Sequence, residues 1–478
     1  MSAPVVQRLA RAEPVRTARA ALAGTPGGAW LVGGVVRDAL LARPLGDVDL
    51  VVEEDPRVAA RRIARAVGGP AFPLSDEFGA WRAIDRRGGF SCDVSPLRGA
   101  TIEEDLRGRD FTVNAVAVPL GGGDPIDPAG GVADLERGVL RVLGPHAYAA
   151  DPLRPLRLVR LHAELGLVPD PETERLTVDA AARLGEPSPE RVFAELRRLL
   201  IAPDAIAGLE LAERLGVLGT VLPEIAALRG VEQSRFHHLD VYEHTLEVLR
   251  RQIELEGRLD EVFGELGPPL RALLDEPLAD ELTRLQALRL GALFHDVAKP
   301  YTRGIRPDGK VTFIGHDLAG EEMVAQIFRR LRTSERLRTF VGALARHHLV
   351  LGFLVRERPL PPPAVYSYLK RCAPVEVEVT VLSCADRLAT RGQSSQAAIA
   401  AHLELASQLM GPALAWRAGG PPKPPVRGDE LAAELAMEPG PELGHLLERL
   451  EQAAYTGEAV TRDDALALAR RLREDQRT

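Results

Sequence analysis

Lysine is nearly absent from this chain of 478 residues: only Lys299, Lys310, Lys370 and Lys423 carry it. Nearly all permanent positive charge is therefore arginine, which stays ionised and grips phosphate through two parallel bonds, although an Arg- and Ala-rich composition is equally what genomic base bias produces. Cysteine is as rare. Cys92, Cys372 and Cys384 have no paired spacing, which excludes a disulfide framework and a zinc knuckle. No run approaches the roughly 18 apolar residues of a membrane-crossing helix, and the N-terminus lacks a basic flank followed by an apolar core and a cleavage site. A reducing, cytoplasmic setting without a membrane partner is expected. The net charge of −8 argues mildly against nucleic acid, yet binding depends on where basic groups sit rather than on their sum.

What is present is enough chain for two to four domains, 45% hydrophobic and 27% charged. The first part mixes short apolar runs with glycine turns. Trp30 to Val32, Val48 to Val52 and Phe111 to Val118 read as strands. From about Asp151 onward, LRPLRLVRLHAELG and RVFAELRRLLI place apolar residues three and four apart, the helical period. GGPPKPPVRG, Gly419 to Gly428, is a proline-rich linker. Helices are expected beyond it around Glu430 to Leu435, Leu443 to Ala454 and Arg462 to Arg471. The expected fold is α+β: a small mixed-sheet head (1–145), a helical neck (146–228), a histidine-rich helical domain (229–418), and a linker with a helical tail (419–478).

The run WLVGGVVRDALLARPLGDVDLVV starts at Trp30. Its strand leads into Gly33-Gly34, where backbone N–H groups can approach phosphate at a helix start; Arg37 and Asp38 follow on that helix. Asp47 and Asp49 are two apart on the next strand, so the strand period puts both carboxylates on one face. Like charges so placed are costly unless a cation bridges them. Oxygen donors suit Mg²⁺, and such a clamp suits attack of a hydroxyl on a nucleotide α-phosphate. Asp93, in CDVSPLRG, is a candidate third carboxylate on an adjacent strand, or a turn former.

GG-x-x-R-D followed by G-D-x-D resembles the nucleotidyltransferase superfamily. The segments after it resemble the class II branch, the bacterial tRNA CCA-adding enzymes and poly(A) polymerases. EEDLRGRDFTVNAVA, residues 103–117, is similar to that family's D-L-x-R-R-D-F-T-x-N-A segment. The resemblance implies that Arg109 and Asp110 lie against the incoming nucleotide and that Asn114 holds its sugar or phosphates. Gly108 stands where the family has another arginine. IDPAGGVADLERGVLRVLG looks like the head-to-neck linker, with Asp127, Gly130, Gly131 and Asp134 structural. ADPLRPLRLVR is similar to the family's amino-acid template helix. Asp151 and Arg154, as an Asp-x-x-Arg pair on one helical face, would read the base edge, with Arg157 and Arg160 beside the phosphates or neck. Ala150 replaces the glutamate often found there. SPERVFAEL, with Glu190, Arg191 and Glu195, looks like a bracing neck motif. The connection from Asp93-Val94-Ser95 to Ile102-Glu103 is short. In this family a short connection resembles enzymes that add only CC.

Seven of the eleven histidines fall between His237 and His348. FHHLDVYEHTLEVL supplies His244, ALFHDVAKP His295 and Asp296, FIGHDLAG His316, ARHHLV His347 and His348, and CADRLATRG Asp386. This order resembles the HD phosphohydrolase superfamily. Imidazoles with carboxylates suit a divalent transition metal such as nickel, manganese, cobalt or iron, and related fused domains act as phosphatase or 2′,3′-cyclic phosphodiesterase or chiefly support RNA binding. The resemblance thus implies a Mg²⁺-dependent enzyme that adds CMP and AMP, from CTP and ATP, to the 3′ end of tRNA as a CCA- or CC-adding transferase. A poly(A) polymerase, an A-only enzyme, or an HD phosphohydrolase with an RNA-binding head are the alternatives. Oligomeric state is left open.

Overall fold

The structure is a computed structural model that describes residues 2–75, 79–233, 239–390 and 395–475. His237 and His238 lie outside the described residues. The chain divides into two compact units, Met1–Val221 and Leu222–Thr478; the first spans the head and the neck as far as Val221, the second the last residues of the expected neck, the histidine-rich region and the tail. The expected α+β organisation is found, with a mixed sheet in the first unit and helices dominating elsewhere.

Six strands form the head sheet: β1 (Ala29–Val32), β2 (Val48–Val52), β3 (Ala71–Ser75), β4 (Ala80–Ile84), β5 (Ser91–Pro96) and β6 (Ala117–Pro119). Their order is β3-β4-β5-β2-β1-β6. Only β2 and β5 pair in parallel; the other neighbours are antiparallel. Strand parity decides what each face carries. Val48, Leu50 and Val52 of β2, Cys92 and Val94 of β5, Leu31 of β1 and Ala83 of β4 enter one apolar core, packed against helices that include Pro56–Val67. The intervening residues, Asp49, Asp93 and Arg82 among them, face the other way, where Val32, Val51, Ile102 and Leu106 build a smaller cluster.

Phe111 to Val118 is not one strand. Thr112–Asn114 forms a 3₁₀ turn and only Ala117 and Val118 join β6. The Thr112 amide bonds to the Arg141 carbonyl, so this β-rich stretch satisfies its backbone outside the sheet. The neck carries helices Arg154–Leu165 and Pro189–Ile201. In the second unit, helices Gly428–Leu435, Pro441–Thr456 and Arg462–Asp475 share an apolar core centred on Leu431, Leu446 and Leu450, close to the expected tail elements. No helix among the described residues is long and apolar enough to cross a membrane.

Candidate active site and metal centre

β1 ends at Val32, and the chain turns through Gly33 at φ +65° into helix Gly34–Leu40. That conformation favours glycine, and the approach is also close: a Cβ on Gly33 would lie 3.4 Å from both an Arg109 nitrogen and Asp49 Oδ2. This turn forms one wall of a cavity of about 650 Å³. Asp47, Asp49 and Asp93 line it, with Gly33, Gly34, Arg37, Asp38, Arg109, Asp110, Asn114, Arg157 and Arg160. Twelve of the fourteen residues singled out in this region therefore meet in one place. Asp151 and Arg154 are not among the lining residues.

The three carboxylates are held differently. Asp47, just ahead of β2, accepts the Ser91 amide at 3.0 Å and the Ser91 hydroxyl at 2.8 Å, both on Oδ1. Asp93 is gripped by Arg82. Asp49, half-buried on β2, has no ion pair among the described residues. Desolvation pushes its carboxyl up to about 6, and the Asp93 charge adds to the rise while Arg109 opposes it. Carboxylate oxygens of like charge, as Asp49 and Asp93 are to one another, suit a hard divalent cation.

A buried polar network also lines the cavity. Arg37 donates to Asp38 and, at 2.8 Å, to Asn114 Oδ1. Asn114 donates at 3.0 Å to Asp110, which also accepts from Arg157 at 3.1 Å. Arg157 and Arg160 both donate to Glu195 of the neck. Burial raises the Asp110 carboxyl, but the Arg157 and Arg154 charges and the Asn114 bond outweigh it and draw it down to about 2. This side of the cavity thus stays ionised and fixed.

Asp151 and Arg154 do not share a helix face. Asp151 caps helix Pro145–Ala150 at its C-terminus, and the next helix begins at Arg154. Asp151 accepts from Arg191 at 2.7 Å. The buried Arg154 donates to the carbonyls of Arg109 (2.9 Å) and Ala147 (3.0 Å). Pro152 and Pro155 account for the break, since each lacks an amide to donate. The expected structural residues behave as braces: Asp127 accepts the Gly131 and Val132 amides, and buried Asp134 accepts from Thr112, Arg137 and Arg141. Sequence reasoning missed Arg82 and Arg198, both of which line the cavity. The only signal for Arg82 was its place on a strand able to pair with CDVS.

In the second unit six side chains from five segments of the chain converge. His244, His295 and Asp386 form one group of mutually close ligand atoms, and Asp296, His316 and His348 a second. Asp296 joins them: its carboxylate lies 3.8 Å from His244, 3.0 Å from His295, 3.3 Å from His316 and 3.7 Å from His348. His295, His316 and His348 each place Nδ1 against a backbone carbonyl, those of Ala292, Phe313 and Ala345. A carbonyl only accepts, so Nδ1 carries a proton and Nε2 is the nitrogen turned toward Asp296. His295 Nε2 and Asp296 Oδ1 are buried without a hydrogen-bond partner, as atoms awaiting a metal bond would be. Desolvation holds His348 down at about 4, in the neutral form that ligates. His347 is a correction: it ends helix Glu335–His347, is half-buried and stands outside both groups, whereas His348, one residue on, turns inward.

One unit thus carries a carboxylate-lined cavity flanked by arginines, the other a buried histidine–aspartate centre, and together they define a protein equipped for metal-dependent chemistry on phosphate esters. Family models agree. The "Poly A polymerase head domain" matches residues 29–98 and 84–141, the "Probable RNA and SrmB- binding site of polymerase A" matches 166–228, and the "HD domain" matches 241–391. The A-adding tRNA nucleotidyltransferase of Deinococcus radiodurans is 37% identical over 94% of this chain and 96% of its own length. The CC-adding tRNA nucleotidyltransferase of Thermus thermophilus is 34% identical, with 93% of each chain covered. The fold matches the Thermotoga maritima CCA-adding enzyme complexed with tRNA at a TM-score of 0.60 and 21% identity, over 98% of each chain. The chain belongs to the tRNA nucleotidyltransferase family, in the branch that joins a poly(A)-polymerase-type head to an HD domain.

Proposed function

We propose that the chain adds nucleotides without a template to the 3′ end of tRNA, in the cytoplasm, and that it adds CC. The observation that carries the transferase reading is the single cavity uniting Asp47 and Asp49 with the glycine turn and the arginines. Asp47 and Asp49 would hold Mg²⁺, which when bound activates the RNA 3′-hydroxyl and stabilises charge on the α-phosphate as pyrophosphate leaves. Arg37 and Arg109, beside the Gly33-Gly34 turn, present guanidinium groups to the triphosphate. Asn114, fixed between Arg37 and Asp110, offers an amide to the sugar. Arg157 and Arg160, tied to Glu195, brace the wall and add positive potential. Base choice is assigned to Asp151 and Arg154, whose present partners, Arg191 and backbone carbonyls, are hydrogen-bond groups that a base edge can replace.

The CC reading rests on the five residues Leu97–Thr101 between β5 and helix Ile102–Arg107, too few for a long loop. A-only addition is the second reading, favoured by the 37% identity to an A-adding relative. The test is to incubate the protein with tRNA ending at the discriminator base, or ending in CC, with each labelled triphosphate, and to read products at single-nucleotide resolution. A stop after two cytidines supports CC addition; efficient AMP transfer to a CC end replaces it with the second reading.

In the HD domain, His244, His295, Asp296, His316, His348 and Asp386 would hold a divalent transition metal, of the nickel, manganese, cobalt or iron kind, whose Lewis acidity serves phosphoester hydrolysis of the phosphatase or 2′,3′-cyclic phosphodiesterase type.

A further inference from the structure

Asp49, Asp93 and Arg82 lie side by side across three adjacent strands. Asp49 is opposite Asp93 in the parallel β2–β5 pair, and Arg82 is opposite Asp93 in the antiparallel β4–β5 pair. All three point away from the apolar core and line the cavity. Arg82 Nε donates to Asp93 Oδ1 at 2.6 Å and a terminal nitrogen donates to Oδ2 at 2.8 Å. Both carboxylate oxygens are thus committed to one guanidinium in a fork, the strongest geometry such a pair adopts. Asp47 and Asp49 have no such partner among the described residues. Turning Asp93 toward a cation shared with them would break the fork.

We propose that Arg82 is a positioning residue that keeps Asp93 out of the ligand set, so that the head holds Mg²⁺ with two carboxylates rather than three. This rests on the reading that Asp47 and Asp49 are the Mg²⁺ ligands. Asp93 then acts only at a distance, as a charge already matched by Arg82, and Arg82 sets how strongly the pair attracts the cation. The Asp93 charge does reach Asp49, whose carboxyl it helps to raise.

The test is Mg²⁺ binding to the full-length protein by calorimetry, with circular dichroism on each variant. Arg82→Gln frees Asp93 and is expected to tighten Mg²⁺ binding about fivefold, the scale of one unmatched charge nearby in a high effective dielectric. Arg82→Gln combined with Asp93→Asn removes both charges and should return the affinity to within about twofold of the parent. Loss of Mg²⁺ binding in the double variant would make Asp93 a ligand and overturn the proposal. Unchanged affinity in a folded Arg82→Gln protein would reduce the fork to a structural pair and overturn it as well. If Arg82→Gln alone does not fold, the neutral double variant decides. Asp49→Asn is the control for the parent reading: a Mg²⁺ signal unaffected by it would refute the ligand assignment itself, which is a different result from either failure above.

Discussion

The two centres are built by opposite means. In the head, the acids come from strands and strand ends, with strand parity turning Asp49 and Asp93 away from the apolar core and into an open cavity. In the second unit, ligands arrive from five helical segments and are sunk among buried side chains, with three imidazoles locked by their own backbone carbonyls. The first arrangement offers oxygen donors to a space large enough for a nucleotide. The second offers nitrogen and oxygen donors, most of them on buried side chains, to an ion. The difference teaches that donor type and accessibility are set together by the element that carries the ligand, and that the two sites should answer to different metals.

The sharpest way to break this comparison is Asp296→Ala. It should abolish phosphatase or cyclic phosphodiesterase activity assayed with nickel, manganese or cobalt, yet leave nucleotide addition near the parent rate. Circular dichroism and thermal melting must accompany the assay, because buried ligands can also hold a domain together. Complete loss of nucleotide addition in a folded Asp296→Ala protein would show that the centres do not work independently.

The second prediction concerns pH. Asp49, pushed up to about 6, binds a proton in competition with the cation as pH falls through that value. The Mg²⁺ concentration for half-maximal addition should be flat above about pH 7 and rise about tenfold per unit below 6, as for one competing proton. A Mg²⁺ requirement independent of pH between 5 and 7.5 would remove Asp49 from the ligand set.

These expectations differ in how far the sequence announced them. Asp49 was legible because a strand's period of two is local and the turn before it is marked by Gly33-Gly34, whereas Asp47 lies just ahead of the strand and is fixed by Ser91 instead. The order of histidines and aspartates in the HD region was legible only as a resemblance, since spacing along the chain does not bring distant helices together. His347 and His348 could not be told apart until the helix end showed which one turns inward. The Asp151–Arg154 geometry was misjudged because the helical period was carried through two prolines. Phe111 to Val118 was misjudged because β-branched residues also suit a buried turn. Arg82 escaped because its partner is set by sheet register, not by any motif around it.

A smaller effect is expected from Arg154→Ala, which should blur discrimination between CTP and ATP more than it slows transfer at saturating nucleotide. Lost hydrogen bonds to a base edge cost about 1–3 kcal/mol, so selectivity should fall about tenfold or more. Unchanged selectivity would confine Arg154 to holding the Arg109 and Ala147 carbonyls.

The smallest is on stability. The Asp110 carboxyl is drawn from 3.8 to about 2, so its ionised form favours the folded head above pH 4, and that contribution disappears as pH falls through 2. Asp110→Asn should cost on the order of 2 kcal/mol near neutrality, with little difference from the parent at the acid end. An equal loss at pH 3 and pH 7 would assign the effect to packing instead of charge.

The account stands most directly on single-turnover transfer of labelled CMP to tRNA lacking its 3′ end, measured beside tRNA binding for the parent and for Asp49→Ala. The account predicts Mg²⁺-dependent CMP transfer by the parent, none detectable with Asp49→Ala, and equal tRNA binding by both. Comparable transfer by Asp49→Ala would contradict it, because the chemistry would then lie outside the carboxylate-lined cavity.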